Sequence, residues 1–291
     1  MSLTKKDESA LELIAREGSN LANMAKFQSE KTGKRIKKPP IPPDTLTLAI
    51  DYIRELNGIS NILIRLTNEI VFPQIKGIVD MAERIRPTLD HMDEWIDEID
   101  DVMATLRINF YGEVTDKKQQ QIATKAAYNV NSASEGYFNK LSTKLVGINL
   151  TTSEVWLNGE VKGFIKENVA LINSISQQHF NRVETIITEG VRRGKLTNEI
   201  KTELQSKFKL TKNKAKLIAR DQTSKFYGDL SRLRQTHNGI KKYVWQTAQD
   251  ERVRPDHASK NQRVFSWNNP PADTGHPGED INCRCSALPV I

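Results

Sequence analysis

Tyr243-Val-Trp-Gln-Thr247, Asp250-Glu-Arg-Val-Arg-Pro-Asp-His257, Val264-Phe265 and Pro277-Gly-Glu-Asp-Ile-Asn-Cys-Arg-Cys285 set the reading of this 291-residue chain. Two of its four Trp, two of its five His, five of its eleven Pro and both of its Cys lie between Tyr243 and Ile291. The apolar period also shortens here. Across Lys241–Thr247, Tyr243 and Trp245 fall on one face and Val244 on the other, which is the alternation of a strand. Val264–Ser266 and Ile281–Ser286 are its expected partners, so a small α+β unit should close the sequence.

Working back toward the N-terminus, the pattern is helical. Asp44 is a candidate N-cap. Leu48, Tyr52, Leu56, Ile59, Leu63, Leu66 and Ile70 then recur at three- and four-residue spacing as far as Pro73, which should stop or kink the helix. A second helix is expected from Pro87, with Met92, Trp95, Ile96, Ile99, Met103 and Leu106 as its apolar stripe. Further helices are expected over about 116–145 and 153–190, separated by Gly147 and Asn149, then over 196–208 and 212–234. His179 has no second ligand at helical spacing and reads as a structural histidine. The fold class that follows is mainly α, with long helices in the N-terminal region and short strands with loops in a small C-terminal α+β module.

Residues 1–43 read as a basic, Pro-rich arm. Pro39, Pro40, Pro42 and Pro43 remove backbone donors, so this stretch suits neither helix nor central strand. Three segments are therefore expected: the arm 1–43, a helical region 44–189 and the module 190–291. No apolar run is long enough to span a bilayer, and two cysteines separated by one residue make no disulfide framework. Both features suit a reduced compartment, the cytoplasm of whatever cell makes the chain, with no membrane partner. The net charge of +7 is localised, because Lys207–Arg234 holds nine Lys or Arg against Asp221 and Asp229. Lys212, Lys216 and Arg220, one helical turn apart, could follow the phosphates of double-stranded DNA without reading its sequence.

The ordered set Ala219-Arg220-Asp221-Gln222-Thr223, Arg234-Gln235, Tyr243-x-Trp245, Asp250-x-Arg252-Val253-Arg254-Pro255-x-His257, Val264-Phe265 and Pro277-Gly278-x-x-Ile281-x-Cys283-Arg284-Cys285 resembles the phage Mu F-like head morphogenesis proteins, minor head proteins of tailed bacteriophages. The resemblance runs from about Phe180 to Pro289. It implies a structural component of the procapsid and virion that associates with the portal and other procapsid proteins, inside the procapsid or at the portal vertex. A role in handling DNA and a helical portal- or capsid-interaction region are implied with it. One departure follows His257: where relatives carry a glycine-containing turn, this chain has Lys260-Asn261-Gln262.

The chemistry of the module leaves alternatives open. Alternating along a strand, Cys283 and Cys285 would point the same way and could bind a structural zinc ion together with His257 and either His276 or Asp250. Small cysteines packed in a strand are the plainer reading. Trp245, Asp250, Arg252, Arg254 and His257 suit a hydrogen-bonded ion-pair network that fixes the loop, with Asp250 accepting a guanidinium fork. A nuclease-like, DNA-processing enzyme working from the Asp250–His257 loop is the alternative function, with a non-specific DNA-binding protein the third. No catalytic constellation is expected, since the clustered carboxylates of a metal-dependent nuclease are missing.

Overall fold

The computed structural model describes residues 20–85, 94–151 and 154–291. The expected start of a helix at Pro87, the stripe position Met92, residues 1–19 of the expected arm and the expected helix start at Ser153 lie outside the described residues. Long helices dominate: Ile50–Leu66, Phe72–Ile85, Glu94–Glu113, Asp116–Val146, Asn158–Arg192 and Thr197–His237. Three short antiparallel strands follow: β1 (Lys242–Gln246), β2 (Val264–Ser266) and β3 (Ser286–Val290), in the order β2-β1-β3. No helix among the described residues is long and apolar enough to cross a membrane.

The chain forms two compact units from interleaved segments. One, residues 51–124 and 165–219, is wholly helical among its described residues. Tyr52, Leu56, Ile59, Leu63 and Leu66 are buried as the spacing requires, whereas Ile96 is exposed and outside the stripe assigned to it. Phe110 and Phe180 meet edge to face at 5.5 Å in its core. Pro73 does not end the helix here. A π-helical turn over Thr67–Val71, closed by Phe72 N on Thr67 O, precedes it and leads straight into Phe72–Ile85, so the helix runs on through the proline and the wider turn takes up the bond that its missing N–H cannot make. His179 is locked between two hydroxyls, Nε2 on Thr67 Oγ1 and Nδ1 on Thr211 Oγ1, each at 2.9 Å. Burial pushes its pKa down from 6.5 to about 4, with Arg182 adding to the effect.

The other unit comprises residues 1–50, 125–164 and 220–291. Leu21, Met24 and Ala25, on the helix Leu21–Thr32, pack with Phe138, Leu141, Val146 and Ile240. The described end of the expected arm is thus tied into a core. After it the basic Pro-rich stretch runs without helix or strand, and Tyr137 Oη donates to Pro40 O at 3.2 Å. Asp44 caps the helix Thr45–Leu48 through Leu46 N at 3.1 Å, and the Thr45 and Ser224 hydroxyls meet at 2.8 Å.

Two further expectations differ from the structure. The separate helices over 196–208 and 212–234 are one helix, because nothing between them breaks it: the only glycine it contains is Gly228, and it contains no proline. The third strand is Ser286–Val290 rather than Ile281–Ser286, and pairs Gln246 with Ser286 through Lys242 with Val290. Asn282 takes a left-handed conformation, φ 57°, which breaks extended geometry just before Cys283. Pro289 is tolerated because β3 is an edge strand.

Candidate functional site

The last turns of the long helix carry the module. Arg234, fully buried, gives Glu154 a fork through Nε at 2.8 Å and Nη2 at 2.5 Å, and reaches Asn131 Oδ1 at 2.9 Å. Its neighbour Gln235 donates to Ala287 O on β3 at 3.0 Å and accepts from the Trp267 indole at 3.2 Å. These two bonds hang the sheet on the helix. Gly228 lets the loop come close: a Cβ there would stand 2.8 Å from Pro277 O, and one on Gly278, at φ 99°, would stand 2.9 Å from Ser224 O. Asp221 Oδ1 then accepts from Asn282 N at 2.9 Å, so the Pro277–Cys285 loop is pinned to the helix at both ends.

Tyr243, Trp245, Trp267, Cys283, Cys285 and Ala287 make the small apolar core of the module. Trp245 meets the His257 ring edge-on at 5.4 Å. His257 is delivered by the short helix Pro255–Ala258, where the proline occupies a first-turn position. Its Nε2 lies 2.8 Å from Asp280 Oδ2. A carboxylate only accepts, so Nε2 carries the proton and the Nδ1 lone pair points the other way. There it faces Cys283 Sγ at 3.5 Å and Cys285 Sγ at 3.4 Å.

The thiols are gathered by a loop, not by strand alternation. Cys283 Sγ accepts from the backbone N–H groups of Gly278 and Cys285, each at 3.4 Å. The hydrogen bond with Cys285 and these backbone donors draw the Cys283 thiol well below its ordinary pKa, while Cys283 beside it and burial push the Cys285 thiol up. The pair therefore gives up one proton readily and holds the second. The buried indole Nε1 of Trp245 has no hydrogen-bond partner.

The other expected site residues are distributed around this centre. His276 is not with the thiols: its Nδ1 meets the Tyr243 hydroxyl at 2.9 Å, and burial lowers its pKa. Asp250 is not with them either. It accepts the expected fork, but from Arg284, at 2.6 and 2.7 Å, and that bond holds its carboxyl below the usual range. Arg254 donates to Ile281 O at 2.6 Å, and Arg252 is exposed. Lys212 and Lys216 are exposed in the helical unit, and Arg220 is exposed in the other. Asp280 and Arg284 are not among the expected site residues, although both stand inside the Pro277–Cys285 stretch. The turn after His257 is made by Gln262 in a left-handed conformation, φ 62°, with Asn261 Oδ1 accepting from Thr247 N at 3.1 Å.

A long-helical protein closed by a three-stranded module with a buried His-Cys-Cys centre is the class that fold and site define. Residues 181–288 match the family model described as "Phage Mu protein F like protein", which supports placing this region in the Mu F-like head morphogenesis family. An uncharacterized protein of Haemophilus influenzae is 41% identical over 132 residues, covering 45% of this chain and 30% of that protein. An uncharacterized protein of Methanocaldococcus jannaschii is 32% identical over 123 residues, covering 41% of this chain and 18% of that protein. The chain thus spans less than a third of the length of either curated relative. No solved structure matches it.

Proposed function

We propose that the chain is a bacteriophage minor head protein, a structural component of the procapsid and virion that acts in head morphogenesis. The family match over residues 181–288 carries this reading. Family members of this kind are typically structural. The site fits that role: Arg284, Arg254 and Asp280 make bonds that hold loops together, and Gln235 and Asp221 tie the sheet and its loop to the long helix. On this reading the protein sits in the procapsid interior or at the portal vertex, with portal protein as its partner and the helical region making that contact. Quantitative mass spectrometry on purified particles tests it. A few copies per particle, co-purifying with portal after mild disruption, is the expected result; absence from particles would overturn it.

Contact with packaged DNA is the further part of this proposal, resting on the exposed cations Lys212, Lys216 and Arg220. Such binding releases counterions, so retention of duplex DNA in a gel should fall steeply between low and moderate salt. Neutralising all three side chains should weaken it for every sequence alike. Retention indifferent to salt and to these substitutions would remove DNA from the proposal.

A further inference from the structure

His257, Cys283 and Cys285 have the geometry of a metal site. Their ligand atoms all lie within 4.8 Å of one another, and all three residues are buried. Tetrahedral zinc, with Zn–S of about 2.3 Å and Zn–N of about 2.0 Å, sets sulfur-to-nitrogen edges of roughly 3.6 Å. The two sulfur-to-nitrogen edges here are 3.5 and 3.4 Å, close to that value. We propose that these three residues bind a zinc ion whose fourth coordination position is open to a neighbouring arginine-lined cavity and is filled by water or an exchangeable oxyanion.

Four independent features point the same way. Two backbone N–H groups converge on Cys283 Sγ, an arrangement that suits a thiolate far better than a thiol, which is a weak acceptor. The Trp245 indole N–H is buried in the same small core as Cys285 and has no hydrogen-bond partner, and a metal-bound thiolate is an acceptor of the kind it lacks. Asp280 accepts from the far nitrogen of His257, which fixes the tautomer and ring orientation that metal-binding histidines need. No fourth His, Cys, Asp or Glu joins the cluster among the described residues, which leaves a position for an outside ligand.

What lies at that position is set by the cavity. His257, Cys283 and Cys285 all line a space of about 230 Å³ whose walls include Arg220, Arg252, Arg254 and Arg284. Arg284 is neutralised by Asp250 and Arg254 is held by Ile281 O, but Arg220 and Arg252 stand exposed at its rim. A cationic wall next to a divalent ion selects an anion over a neutral molecule. His276 and Asp250, the fourth ligands expected from sequence, are committed to Tyr243 and Arg284 and do not fill the position.

The test uses the full chain purified in reductant without chelator, and it is independent of the head-protein reading, which particle composition decides. Elemental analysis should find about one zinc per chain, falling to near zero in Cys283→Ser and in Cys285→Ser and unchanged in His276→Ala. Asp280→Asn should retain the site with roughly 10- to 100-fold weaker zinc affinity. Near-zero zinc in unsubstituted protein that also fails to take up added zinc overturns the proposal, whether thiol titration then finds both thiols free or a Cys283–Cys285 disulfide. This outcome needs no variant to fold. Cobalt substitution checks the fourth position: the visible spectrum should be that of a tetrahedral thiolate site and should shift as inorganic phosphate is added. A spectrum unmoved by phosphate overturns the open, anion-accepting position.

Discussion

His179 and His257 are both buried imidazoles, held in opposite ways. His179, in the helical unit, has a threonine hydroxyl on each nitrogen and an apolar surround, and burial keeps it neutral. His257, in the other unit, has a carboxylate on one nitrogen and two thiols on the other. The contrast reflects how the two regions are built. Long amphipathic helices bury enough apolar surface to hold themselves, so their internal polar groups need only be satisfied. A sheet of three short strands has little core, so forks, buried ion pairs and, on our proposal, a metal ion must hold its loops.

The largest expected effects come from breaking each region in its own currency. Glu154→Ala would leave the Arg234 guanidinium, whose side chain is 1% exposed, without its carboxylate, at a cost of about 3–5 kcal/mol. Phe180→Ala, which opens a cavity in the helical core, should cost a similar amount, about 3–5 kcal/mol, by packing alone. Chemical denaturation measures both. A loss below about 1 kcal/mol in Glu154→Ala would mean that polar ties do not hold the module's helix, and the contrast would fail.

Next in size is an acid effect specific to His179. Its folded pKa is lowered from 6.5 to about 4, so between these values the unfolded chain takes a proton that the folded chain refuses. Stability is intact above pH 6.5, falls as pH drops toward about 4, and loses no more from this group below that. The full loss is on the order of 3 kcal/mol. Denaturant midpoints between pH 7 and 4 should show it, with a shallower slope in His179→Gln. An unchanged slope in that variant would assign the acid sensitivity elsewhere.

The smallest effects separate Asp250 from Arg252, which the sequence treats alike. Asp250→Asn removes the charge and one of the two oxygens that accept the Arg284 fork, and should lower the denaturation midpoint slightly. The depressed carboxyl pKa makes that contribution present above the ordinary aspartate value of 3.8 and lost as pH falls below it. Arg252→Ala, at an exposed side chain, should leave the midpoint unchanged. Equal effects would dissolve the distinction.

The helices were legible because their cores follow a 3.6-residue period, and Tyr52 to Leu66 are buried where that period puts them. The family resemblance was legible from an ordered set of motifs that the match over residues 181–288 supports. What escaped was decided by tertiary contacts. Ile281–Cys285 has a strand-like composition, yet Asp221 captures the backbone of Asn282 and turns it into a left-handed residue, which moves the strand to Ser286. The fork that Asp250 was expected to accept comes from Arg284, thirty-four residues away, a partner that sequence spacing does not single out. Cys283 and Cys285 do meet His257, but by loop geometry, and His276 is diverted by the Tyr243 hydroxyl that strand β1 places beside it. The interleaving of the two units leaves no mark on local composition.

Head formation itself tests the central claim most directly. A stop codon placed in the stretch that encodes the long Thr197–His237 helix removes the three-stranded sheet and the His257-Cys283-Cys285 centre. Electron microscopy and DNA content of the resulting particles are then compared with the parent and with a complemented control. Loss or malformation of DNA-filled heads, restored by the full chain in trans, is the expected result. Normal yields of filled, infectious heads in its absence would contradict a role in head morphogenesis.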